Sequence, residues 1–136
     1  MKRQGTFILI VILIFSAVLP LLAGDDGDQK SSGLLNGRAW ATLSRLAKDA
    51  YLAGLMDGVF ITTKTLKAEQ QPPEFTLSGN LALLEVARQI DLFYADPSHL
   101  PIPILWSFTY VAKKSRGATA AELDDYVADL RKQFNN

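Results

Sequence analysis

The stretch LALLEVARQIDLFYADPSHLPIPILWSFTYVAKKSRG, residues 81–117, holds two helical patterns joined by a proline-rich corner. Before the corner, Leu83, Val86, Ala87, Ile90, Phe93 and Tyr94 recur three or four apart, while Glu85, Arg88 and Gln89 fall on the other side. That period predicts an amphipathic helix from Asn80 to Ala95. Asp96 and Pro97 end it, because a residue ahead of proline avoids helical backbone angles. A new helix starts at Pro101 or Pro103, where a missing N–H costs nothing in the first turn. Its core positions are Leu105, Phe108, Val111 and Ala112. Lys113, Lys114 and Arg116 suit the negative end of its dipole, and Gly117 supplies a left-handed cap. The corner itself, FYADPSHLPIP at 93–103, reads as a rigid joint whose Pro97, Pro101 and Pro103 fix backbone angles, with the Tyr94 hydroxyl tying it down.

Working outward, Thr119-Ala120-Ala121-Glu122 is a capping box. It opens a helix with Leu123, Tyr126, Val127, Leu130 and Phe134 as its stripe, acidic residues in its first turn and Arg131 and Lys132 in its last. Upstream, Asn36 to Lys67 is helical: Trp40, Leu43, Ala47, Ala50, Gly54 and Ile61 recur at helical spacing, with Arg45, Lys48 and Asp49 turned away. Ala68–Asn80, with Pro72 and Pro73, reads as a loop. No run alternates as a sheet strand does. The expected fold is all-α, a compact four-helix domain over 36–136, following an N-terminal signal or anchor helix.

The chain opens with Lys2 and Arg3, then an uncharged apolar run to Ala23 and Gly24. A basic start, an apolar centre and small residues at the end make a secretory signal over residues 1–23. Leu21 and Leu22 are bulky for a cleavage site, so an uncleaved membrane anchor facing the periplasm is the alternative. Both readings export the rest, to the periplasm or beyond the cell. Residues 24–35, acidic and polar, read as a disordered linker, not a calcium loop, since no glutamate follows Asp25, Asp26 and Asp28 at the required spacing.

Without Lys2 and Arg3 the chain holds 12 of its 14 basic residues against 14 acidic ones, a net charge of −2. So weak a charge, with no basic cluster, argues against nucleic acid and anionic membranes as partners. Cysteine is absent, which excludes disulfides, a thiol nucleophile and thiolate-held zinc. His99, the single histidine, has neither a GxSxG elbow nor an HExxH motif to work with, and reads as a surface or hinge residue. Asp124 and Asp125 suit a helix N-terminus, Asp129 is solvated, and Glu85 and Asp91 lie on different faces, so no acid–base pair emerges. No cofactor, metal or catalytic residue is expected, and the chain reads as a protein that is not an enzyme.

The run GLMDGVFI, 54–61, departs from simple amphipathicity, placing Leu55, Met56, Val59 and Phe60 on nearly all sides of its helix. Gly54 and Gly58, one turn apart, each cost roughly 1 kcal/mol of helix propensity, which predicts another helix packed against the bare backbone. Asp57 among these apolar residues either has a buried partner or reaches solvent.

Two segments together, NGRAWATLSRLAKDAYLAGLMDGV and IDLFYADPSHLPIPILWSFTYVAKKSRG, resemble the small exported helical proteins of the Rap/Tai type. That family has a Tyr-Leu-x-Gly helix with a second glycine, then a helix ending in a proline-bearing corner before an apolar helix. Tyr51, Gly54 and Gly58 match the first element; Phe93, Tyr94, Pro97, Pro101 and Ile104 to Ala112 match the second. The family's stapling cysteines have no counterpart here. The resemblance implies a periplasmic immunity protein that binds and blocks a peptidoglycan amidase delivered by type VI secretion.

The expectation is therefore an exported protein acting by protein–protein binding, its partner a foreign protein or a second copy in a homodimer. Partner-binding or structural positions are Tyr51, Gly54, Leu55, Met56, Asp57, Gly58, Phe60, Phe93, Tyr94, Pro97, His99 and Pro101, with the helix around Leu52 to Phe60 as the contact surface. Alternatives are a structural envelope protein and a carrier of a small apolar ligand, held between helices near Trp40, Trp106 and Tyr110.

Overall fold

Asn36 stands at the N-cap of the first helix. Its side-chain oxygen accepts from the N–H groups of Arg38 (3.0 Å) and Ala39 (3.4 Å), capping the helix that follows. Its amide donates to Asp28 O (3.0 Å) and Ser31 Oγ (3.1 Å), and its backbone N–H to Gln29 O (2.9 Å). One buried residue thus binds residues 28–31 to the first helix. The computed structural model describes residues 28–65, 76–78 and 81–134. The expected signal or anchor at 1–23, and most of the expected loop between 68 and 80, lie outside the described residues.

Ahead of Asn36, β1 (Lys30–Ser31) and β2 (Leu34–Leu35) form an antiparallel hairpin, Lys30 opposite Leu35 and Ser31 opposite Leu34. Ser32 and Gly33 both take positive φ, 52° and 79°, the two-residue turn whose twist matches a hairpin. The linker expected to be disordered is therefore ordered from residue 28 on, because the Asn36 amide gathers it in.

The helix expected from Asn36 to Lys67 is two helices, α1 (Gly37–Thr42) and α2 (Arg45–Thr65). Leu43 takes extended angles (φ −71°, ψ 136°), and Ser44 Oγ accepts from Ala47 N at 3.2 Å, starting a new helix with a side-chain cap. The remaining elements are α3 (Leu83–Phe93), a 3-10 turn at Pro97–His99, α4 (Ile104–Ser115) and α5 (Ala120–Phe134). The second expected helix is thus shorter than Asn80–Ala95. The third begins just after Pro103, which stands at its N-cap. Gly117 ends α4 at φ 87°, as its left-handed cap requires. The capping box forms as read: Glu122 N donates to Thr119 Oγ1 (3.3 Å) and Thr119 N to Glu122 Oε2 (2.8 Å).

The architecture is mostly helical, with five α-helices among the described residues. α3 lies between α2 and α4, and α5 packs on α4. Trp40, Leu52, Val86, Ile90, Phe93, Ile102, Ile104, Phe108, Val111, Val127 and Leu130 form one core cluster. Asp91 locks three helices at its edge: Oδ1 accepts from Trp40 Nε1 (2.8 Å) and Lys48 Nζ (2.7 Å). Lys48 also lies over the Trp40 ring, 4.9 Å from its centre. Lys48 is therefore drawn inward, contrary to the solvent-facing position expected for it. Among the described residues no helix is long and apolar enough to cross a membrane.

Candidate functional site

The corner is built as its prolines suggested. Phe93 and Tyr94 are buried, ring edge to ring face at 5.2 Å, and Tyr94 OH donates to Ile102 O at 2.8 Å across the turn. Burial pushes the Tyr94 phenol far above its ordinary pKa, so it stays a hydrogen-bond donor. Asn36 and Pro103 form an isolated backbone bridge, and Gly37 N donates to Leu100 O at 2.9 Å. The start of α1 is thus threaded against the corner. Gly37 has to be glycine there, since a Cβ would lie 2.5 Å from Tyr94 Cε1 and 3.0 Å from Leu100 Cα.

Pro97 opens the 3-10 turn, Pro101 is half-buried just beyond it, and His99 closes the turn as a hinge residue with its side chain only 12% exposed. The imidazole stacks on Phe93 at 4.4 Å. Nδ1 meets Phe93 O at 2.6 Å and Nε2 meets Arg131 Nη2 at 2.9 Å. A guanidinium only donates, so Nε2 accepts and Nδ1 carries the proton. Arg131 Nη2 also reaches Asp96 Oδ2 at 2.9 Å. Asp96 is held below the usual carboxylate range, first by the Ser98 hydroxyl, then by the Ser98 backbone N–H. Asp96, Arg131 and His99 therefore bolt the corner to the end of α5, beside a cleft of about 430 Å³ that Asp124 and Tyr110 also line. Every nitrogen of this histidine is engaged in the bolt. Among the described residues no group of three or more His, Cys, Asp or Glu is placed to hold a metal ion.

The second part is α2. Leu52 is its one buried residue; Tyr51, Leu55 and Met56 are half-buried against the core. Tyr51 stands edge-on to Trp40 at 6.5 Å, and burial raises its phenol pKa. Two expectations are corrected here, and one open alternative is decided. Ala50, Gly54 and Ile61, placed on the core stripe by spacing, are exposed. No described helix covers the glycines: a Cβ at Gly54 or Gly58 meets nothing within 4 Å. Of the two alternatives for Asp57 the second holds: it is exposed and reaches solvent. The reason is common to all three, because α2 turns its Leu52 edge inward and carries the 54–58 flank away from α3.

Beside that flank runs a groove of about 330 Å³, lined by Gly54, Leu55, Gly58, Val59, Thr62, Thr63 and Leu105 and almost wholly apolar. Thr62 Oγ1 donates to Gly58 O at 2.8 Å and Thr63 Oγ1 to Phe60 O at 2.9 Å, so both hydroxyls serve their own helix. Phe60 is 62% exposed, Ile61 60% and Leu46 80%. Trp40, expected to border a ligand pocket with Trp106 and Tyr110, is filled in by the core instead.

Sequence reasoning missed Gly37, Asp91 and Arg131. Asn36-Gly37 ahead of an aromatic residue carries a local signal, a side-chain cap followed by a residue that admits close approach. Asp91 with Lys48, 43 positions apart, and Arg131 with Asp96, 35 apart, have no local signal at all. Compared with known proteins, the chain matches no family model, no curated protein and no solved structure.

Proposed function

We propose that this is an exported, non-enzymatic protein that binds another protein through the groove on α2. The observation that carries the reading is an open apolar groove beside two bare glycines, on a helix that buries a single residue. An apolar groove whose hydroxyls are already engaged suits an α-helix, which brings its own satisfied backbone; an extended strand would leave its peptide groups unpaired. Bare glycine lets that helix approach closely. The Rap/Tai resemblance supports a peptidoglycan amidase as partner and inhibition as the outcome.

Gly58→Leu fills the groove without touching the core. Titrated into the peptidoglycan amidases of the same cell, the protein is expected to block the release of peptide from cell wall, and Gly58→Leu to lose that inhibition. Equal potency of the two proteins would remove the groove from the interface, and absence of inhibition of every amidase would remove the immunity activity. A carrier of a small apolar ligand is the alternative, favoured only by the groove's volume, which is near the lower end of ligand pockets. Tryptophan fluorescence against a lipid panel separates it: saturable binding that Gly58→Leu abolishes, without amidase inhibition, selects the carrier.

A further inference from the structure

The outer face of α2, away from the groove, carries a pattern of its own. Asp57, Phe60, Ile61 and Lys64 are all exposed, and their spacing of three, four and seven places them on one face. Asp57 and Lys64 lie on the midline of that face, about 10 Å apart along the axis, with Phe60 and Ile61 to either side between them. Among the described residues no hydrogen bond or ion pair reaches Asp57, and Lys64 does no more than lie over its own Phe60 ring at 5.5 Å.

From this arrangement we infer that the outer face of α2 pairs with a second copy of the chain, antiparallel, about a two-fold axis passing between Phe60 and Ile61. In that register Asp57 of each copy faces Lys64 of the other. Phe60 meets Phe60 and Ile61 meets Ile61 across the axis, giving an apolar centre between two charged ends. A parallel pair would set Asp57 against Asp57 and Lys64 against Lys64, so charge selects the antiparallel arrangement. A single helix face is smaller than a standard interface, which makes the pairing weak, reversible and dependent on concentration and salt. The inference rests on reading α2 as a protein-binding helix, but uses the face opposite to the groove, which stays open to a foreign partner.

Charge reversal tests the register, because both charged residues are exposed and their replacement leaves the core intact. Sedimentation velocity of the protein as purified from the exporting cell, across a concentration series, is expected to show a monomer–dimer equilibrium. Asp57→Lys alone and Lys64→Asp alone each turn two attractions into two repulsions and weaken it roughly tenfold or more. The double swap, Asp57→Lys with Lys64→Asp, restores it, and so does mixing the two single variants, whose charges complement each other. Wild type that stays monomeric throughout, single reversals that associate like wild type, or a swap that fails to recover would each overturn the pairing. Gly58→Leu, run alongside, should leave the dimer unchanged. If it abolishes amidase inhibition while no dimer forms, the groove reading stands and the self-pairing alone falls.

Discussion

Gly37→Ala and Gly58→Ala are the same chemical change in two helices, and the structure predicts opposite signs. At Gly37 the new methyl would lie 2.5 Å from Tyr94 Cε1 and 3.0 Å from the Leu100 backbone. Tyr94 has no room to yield: it is buried, packed on Phe93, and pinned by its hydroxyl to Ile102 O. Overpacking of this kind costs about 1–3 kcal/mol. Displacing the Tyr94 hydroxyl from its carbonyl adds about 1 kcal/mol. The gain in helix propensity, at most about 1 kcal/mol and smaller in a first turn, does not offset this. The net loss is about 2–3 kcal/mol, worth roughly 10 °C in Tm for a domain of this size. At Gly58 the methyl meets open space and only the propensity gain remains, so Tm should rise by a few degrees. Thermal melts followed by circular dichroism at 222 nm compare the two. If Gly37→Ala melts with wild type, the close threading of α1 against the corner is not what holds this fold; if Gly58→Ala melts well below wild type, the 54–58 flank is not open.

Other contacts of the fold lead to further outcomes. Tyr94→Phe leaves the buried Ile102 carbonyl without its donor and should cost about 1–2 kcal/mol in a denaturant titration. Because burial raises the Tyr94 phenol pKa in the folded state, the folded protein holds its proton where the unfolded chain releases it; stability must therefore fall as pH rises above the ordinary tyrosine value of 10.0, less steeply in Tyr94→Phe. Glu85 is held down at about 2 by Arg88 first and Gln89 second, so what it contributes is complete above its ordinary value of 4.5 and is lost as pH falls toward 2. Carboxyl NMR should show that low midpoint and its return toward normal in Arg88→Ala. Asp91→Ala strips the acceptor from Trp40 Nε1 and the partner from Lys48, and should lower stability by about 2–3 kcal/mol with a shift in tryptophan emission.

What the sequence determined by itself is everything decided within a few residues. The stripe Val86, Ala87, Ile90 and Phe93 is buried as its spacing requires, as are Leu123, Val127 and Leu130. The Thr119–Glu122 box, the Gly117 cap and the Tyr94 tie across the prolines rest on hydrogen bonds and backbone angles that local residue types dictate. The break at Leu43–Ser44 escaped because helical spacing runs through it, and only the Ser44 hydroxyl, a weak signal amid strong periodicity, marks the restart. Tertiary structure alone decided which side of α2 faces inward. A helix apolar on most sides has no preferred edge of its own, so Leu52 became the buried residue only through contact with α3 and the core, leaving Gly54, Gly58, Phe60 and Ile61 outside. The same holds for His99, whose role depends on Arg131 arriving from a helix 32 positions away. Periodicity reports that a face is apolar; which neighbour covers it is set by how the helices pack, and that information is spread over residues distant in the chain.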